Sequence, residues 1–126
     1  MAIVWTDVGQ AQAVDLLDPN TRGAVSSSYY GEWGSSATAP AVTQTALVSA
    51  NAEARAAVTV TQPAANKVLY SYTMTATGTR TVQETGVFDA SSTGNMILRG
   101  THGSLTLESG SSAAYALGNT LKDSSE

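Results

Sequence analysis

The chain has 126 residues, of which Ala, Thr, Ser and Gly fill 63, while Val, Leu, Ile and Phe together fill 23. A formal charge of −4 is too small to hold such a chain unfolded, and its Val, Thr and Tyr content favours strands, so one ordered domain, or a domain with an arm, is expected. The absence of cysteine excludes a disulfide framework, a thiol nucleophile and a Cys-based metal site. With so lean an apolar inventory, contact with other chains is expected to complete the core.

The opening residues, Met1 to Asp7, lack a charged segment followed by an apolar run, and no apolar stretch approaches the length of a membrane span; neither a cleavable signal nor a membrane partner is expected. The six Lys and Arg are scattered from Arg22 to Lys122, which disfavours packing against nucleic acid. Residues 1–28 then carry Ala11 to Leu17, an Asp18-Pro19-Asn20 turn signal and a serine run. A helical turn ended by Pro19 and an extended arm both fit this stretch, because the residue before proline resists the α region; the arm is the favoured reading.

From Tyr29 onward, period-two alternation takes over. Across 54–61, Ala56, Val58 and Val60 share one side of an expected strand. Across 67–77, Val68, Tyr70, Tyr72, Met74 and Ala76 face one way and Leu69, Ser71, Thr73 and Thr75 the other. Residues 62–66 suit a hairpin loop and 91–95 a turn, and Gly100, Gly103 and Gly110 read as breaks between short runs. The expected fold is all-β, an antiparallel β-sandwich over 29–121 with an extended N-terminal arm over 1–28 and a polar tail over 122–126. No amphipathic helix of ten residues or more is expected between strands.

Candidate chemistry is sparse. His102 near Ser104 would be a general base only in a nucleophile context that is missing, so a loop or interface histidine is the plainer reading. Asp15, Asp18 and Asn20 do not follow a calcium-loop pattern. Glu84 and Asp89 could in principle form a glycosidase pair, but no aromatic cleft is signalled around them. No enzyme and no cofactor is expected. The cluster Tyr29, Tyr30 and Trp33 reads either as an exposed contact for carbohydrate or protein or as the first strand of the sandwich with a core plug.

The ordered blocks Tyr30 to Gly34, Thr38 to Ala41, Thr45 to Val48, Glu53 to Arg55, Thr81 to Ala90 and Gly94 to Arg99 resemble small virion proteins of tailed bacteriophages, over roughly residues 30 to 108. The most specific block is Glu-x-Gly-(Leu/Val)-Phe-Asp-Ala, present as Glu84 to Ala90. The chain departs from the pattern at 108–117, where a Gly-Asp turn and an alternating Thr/Val strand would stand. The resemblance implies a β-sandwich displayed on the virion, as a head decoration (cement) protein or a tail, baseplate or fibre component. For decoration, it implies a homotrimer at local threefold axes of the major capsid protein, on the outer capsid surface. Ile3, Val4, Trp5, Val8, Val14, Leu16 and Leu17 are then the expected capsid or inter-subunit contacts, with Tyr29, Tyr30 and Trp33 as candidate exposed contacts. Glu84, Gly86 and Phe88 are expected to form a fold-specifying corner: the acid accepts N–H groups from the next turn, the glycine supplies positive φ and the phenyl ring packs back.

Overall fold

The computed structural model describes residues 2–25 and 27–120; the expected tail, 122–126, lies outside them. Its elements are strand β1 (Ala2–Trp5), helix α1 (Asp7–Leu17), a 3-10 turn (Arg22–Ala24), and strands β2 (Tyr30–Gly34), β3 (Ala56–Ala57), β4 (Thr59–Ala64), β5 (Lys67–Thr75), β6 (Arg80–Phe88), β7 (Met96–Leu107) and β8 (Ser112–Thr120). This is a mostly β protein with two antiparallel sheets, ordered β1-β7-β6-β2-β3 and β4-β5-β8, and one short helix.

Four expectations are corrected. The N-terminal stretch is not an extended arm. Ile3 and Trp5 alternate inward against the core, and β1 pairs with β7 from Ala2 opposite Thr101 to Trp5 opposite Leu98. An eleven-residue helix follows, although its apolar residues make no continuous stripe. Its start is set by Thr6, whose hydroxyl accepts the Gly9 N–H at 3.0 Å and donates to the Met96 carbonyl at 2.6 Å. Its end is set by Asp18, held extended ahead of Pro19. Gly9 is the helix's buried residue: a β-carbon there would overlap the Ile97 carbonyl, so glycine is what lets α1 lie against β7.

The strand expected over 54–61 is divided. β3 belongs to the larger sheet and β4 to the smaller, and the chain changes sheets at Val58, whose N–H goes to the Tyr29 carbonyl at 2.9 Å. Val60 is left exposed as a result. Nor do Gly100 and Gly103 end a run, since β7 continues through both for twelve residues; Gly103 falls where the β6–β7 register shifts, between Val82 opposite Leu105 and Glu84 opposite Thr101, and the reversal comes at Gly110, where φ is +89°.

The alternation in β5 places Tyr70, Tyr72, Met74 and Ala76 in a core shared with Trp33, Val82, Val87 and Leu98 of the larger sheet. Tyr72 stacks on Tyr115 of β8 at 5.4 Å, and its hydroxyl bonds the Thr85 hydroxyl across to β6. Burial raises the pKa of Tyr72 well above the usual phenol value, so the group stays protonated through the physiological range.

The larger sheet is covered on its other face too. Residues 84–88 and 96–100 are buried without alternation, which one solvated face would forbid. The cover is the long segment 35–55 between β2 and β3. Glu84 and Arg99 are fully buried beneath it, with Arg99 Nη2 3.0 Å and Nε 3.3 Å from Glu84 Oε1. The carboxylate also accepts the backbone N–H groups of Ser36, Val48 and Ser49 at 3.0, 2.9 and 2.8 Å. Arg99 Nη1 donates to the Thr38 carbonyl at 2.8 Å and to Gln44 Oε1 at 3.2 Å.

The expected corner is therefore not a corner. Glu84, Gly86 and Phe88 alternate along one face of a strand that continues to Phe88, and Gly86 is not among the positive-φ residues. The carboxylate reaches a segment some forty residues upstream rather than the next turn. A β-carbon on Gly86 would press on Leu47 Cδ2 and Met96 Sδ at 3.0 Å each, so a larger residue there would make both side chains shift. Phe88 joins Leu47 and Met96 in a small second core, and the Arg55 guanidinium lies 3.7 Å over its ring.

Arg99→Met strands the Glu84 carboxylate in a buried site without its counter-charge, and urea unfolding should show a loss of about 3 to 5 kcal/mol. Adding Glu84→Gln to that variant should recover part of the loss. A loss below about 1 kcal/mol for Arg99→Met would mean that the pair does not hold the cover.

Candidate functional site

Helix α1 is anchored on one side and open on the other. Besides the Thr6 and Gly9 contacts, Gln12 Nε2 donates to Asp89 Oδ2 at 2.8 Å, tying the helix to the turn after β6. Asp89 also accepts the Asn95 N–H at 2.7 Å and Asn95 Nδ2 at 3.1 Å. Burial works against the Asp89 carboxylate, but the hydrogen bonds from Asn95 and Gln12 outweigh it and hold its pKa below the ordinary 3.8.

The open side carries apolar side chains into solvent: Leu17 is 77% exposed, Val14 64% and Leu16 49%, and across from them Val60 of β4 is 45% exposed. Single exposed aliphatics are unremarkable, but four around one groove are not. The groove runs between the second half of α1 and the β4–β5 hairpin, with a volume of about 600 Å³. Trp5 and Val68 line it as well, with the last residues of β8 (Asn119 and Thr120), and Lys67 is the only charged lining residue among the described residues. Asn119 Nδ2 is buried beside the groove with no hydrogen-bond partner among the described residues.

Of the expected contact residues, the structure brings Trp5, Val14, Leu16 and Leu17 together at this groove. Ile3, Val4 and Val8 do not join them, being partly buried in β1 and at the start of α1. Of the two readings of the aromatic cluster, Trp33 takes that of the core plug, being fully buried and so no exposed contact, and Tyr29 is half-buried, edge-on to Tyr70 at 5.7 Å. Tyr30 is half-buried in β2. The same burial, with the neighbouring Tyr29, pushes the Tyr70 pKa up to about 12. The hairpin wall with Val60 and Val68 escaped sequence reasoning, because alternation alone assigned both residues to a core face.

The turn 91–95 is exposed but pinned from below, with Arg55 Nη1 donating to the carbonyls of Ala90 and Thr93 at 2.9 and 2.7 Å. His102 is held away from acid–base work with Ser104. Its Nδ1 lies 2.8 Å from the Gly103 carbonyl, which requires N–H there, leaving Nε2 to accept the Tyr115 hydroxyl at 2.9 Å. Glu84 faces the 35–55 cover while Asp89 serves the turn, so the two carboxylates act on separate partners. Among the described residues no group of three or more His, Asp or Glu could hold a metal ion, and no helix is long and apolar enough to cross a membrane. No family model and no curated protein matches the chain.

Because the pKa of Asp89 is depressed on folding, its contribution to stability is full above the unfolded value near 3.8 and is lost as pH falls through the folded value. Asp89→Asn should therefore flatten the acid limb of a plot of melting temperature against pH below about pH 4. An unchanged acid limb would show that the turn does not depend on the charge.

Proposed function

We propose that this chain is a structural virion protein that binds the outer face of a major capsid lattice and stabilises it, with its two sheets forming the layers of a β-sandwich. The observation that supports this reading is the convergence of the blocks in which the chain resembles small phage virion proteins. Those blocks lie far apart in sequence, yet two ion pairs join block to block, Glu32 with Arg55 and Glu84 with Arg99, and the second pair also takes backbone groups of Thr38 and Val48.

The apolar groove beside α1 supplies the contact. A lean domain that leaves Val14, Leu16, Leu17 and Val60 in water gains free energy when a partner covers them, at about 25 cal/mol per Å² of apolar surface. The lattice subunit is the partner in this reading. The groove then needs no catalytic group, and His102 and Glu84 have structural duties. The pinned, exposed turn at 91–95 favours the second reading, a tail, baseplate or fibre component that touches a host surface through that turn. Copy number separates them, with hundreds per particle for decoration and a dozen or fewer for a tail part.

The double variant Val14→Asp, Leu17→Asp changes exposed positions and should leave the melting temperature nearly unchanged. Its binding to empty heads should weaken by about tenfold or more per residue. Undiminished occupancy by the folded variant would remove the groove from the capsid contact. Occupancy by neither wild type nor variant would remove the capsid.

A further inference from the structure

The two sheets end in four edges, and three of them are guarded. β3 is two residues long; β1 is four residues long and runs into α1; β4 carries Pro63 and a register shift between Thr61 and Ala64. Short edges, proline and bulges are the devices that keep strands from pairing with other chains. β8 has none of them. It pairs with β5 without a break for nine residues, from Ser112 opposite Thr75 to Thr120 opposite Lys67, and no strand lies on its other side among the described residues. Its sequence, Ser-Ala-Ala-Tyr-Ala-Leu-Gly-Asn-Thr, holds no Lys, Arg, Asp, Glu or Pro. The part of β7 beyond β1, residues 102–107, is also open but shorter.

In an antiparallel sheet, alternate residues of an edge strand turn both N–H and C=O outward, so about half of β8 offers unpaired backbone groups. Only another extended backbone satisfies such a row. We infer that the free edge of β8 is an interface between two copies of this chain, pairing antiparallel about a twofold axis at Ala116.

Self-pairing is favoured by what stands opposite what. With Ala116 facing Ala116 of the second copy, all nine residues find partners. On the core face, Tyr115 meets Leu117, an aromatic–aliphatic pair, and Ala113 meets Asn119. On the other face, Ala114 meets Gly118 and Ser112 meets Thr120, all small, so the backbones approach without obstruction. No like charges meet, whereas a charged partner strand would find no counter-charge on this edge. Tyr115 and Leu117 already belong to the core, so pairing carries that core across the junction and makes one six-stranded sheet from two of three. A twofold contact of this kind closes on itself and yields a dimer, not the threefold assembly that the resemblance implies. The inference stands independently of the capsid reading.

The cysteine-free sequence gives a direct test. Residues directly opposite in an antiparallel pair have Cα atoms about 4.5 to 5.5 Å apart, inside the range a disulfide spans. Ala116→Cys should therefore form a covalent dimer under mild oxidation at least tenfold faster than Ser91→Cys, whose thiol would sit in the exposed 91–95 turn. In sedimentation, the wild type should be a concentration-dependent dimer, and Ala116→Lys should weaken it at least tenfold while keeping the circular dichroism of the parent. A wild type that is monomeric or trimeric at every concentration would overturn the inference. So would Ala116→Cys crosslinking no faster than the turn control, and that result decides even if Ala116→Lys fails to fold.

Discussion

The buried pair Glu84–Arg99 is the constraint on which the larger sheet depends. Two charges cannot be taken out of water unless every lone pair and proton finds a partner, and here the partners are backbone groups of one irregular segment. Residues 35–55 contain no helix and only one isolated bridge, Gly34 to Ala50. That segment has no repetitive hydrogen bonding of its own to fix its path. It takes its shape from the carboxylate and the guanidinium beneath it, as a ligand takes its pose from a binding site. Gly86 leaves room for Leu47, and Phe88 gives Arg55 a surface to rest on.

This arrangement divides the molecule into a side that is finished and a side that is not. The face under 35–55 has its charges paired and its apolar residues covered. At α1 and the β4–β5 hairpin, aliphatic side chains stand in solvent, and β8 leaves backbone groups without a strand beside them. A small apolar inventory has been spent on one face and on the layer between the sheets; of the large aliphatics left exposed, Val14, Leu16, Leu17 and Val60 gather at one groove, while Val42, Val48 and Leu105 stand apart. The lean composition is thus a statement about where the surface is incomplete.

How much of this was legible in the sequence depended on whether a local pattern had a local cause. The alternation in β5 was legible because both neighbouring layers see the same strand for its whole length, and the turn at 91–95 because Asp89 and Asn95 cap each other at close range. The helix was not legible, because its strongest determinants are the Met96 and Ile97 carbonyls, some ninety residues away, which seat Thr6 and demand glycine at position 9. The crossing at Val58 was hidden because a strand that changes sheets keeps its extended backbone and its alternation. Gly100 and Gly103 misled for a related reason: in a long strand, glycine marks an irregularity of register as readily as a turn, and Gly103 lies where the β6–β7 pairing shifts. The candidate groove was half visible, since the sequence supplied Trp5, Val14, Leu16 and Leu17, while the opposing hairpin wall required the tertiary structure.

The pairing of β1 with β7 has a consequence for how the chain is made. Ala2 precedes its partner, Thr101, by 99 positions, so β1 is synthesised long before the strand it pairs with. Contacts of such separation are slow to form, because the closure entropy must be met before any bond rewards it. During synthesis Ile3 and Trp5 have no strand to dock on, and α1 lacks the Ile97 backbone it packs against. The larger sheet must therefore mature from its middle outward, with β6 and β7 assembled before the N-terminus returns to the edge. A nascent chain stalled short of residue 96 would present the N-terminal segment unsheltered, the state in which a chaperone would meet it.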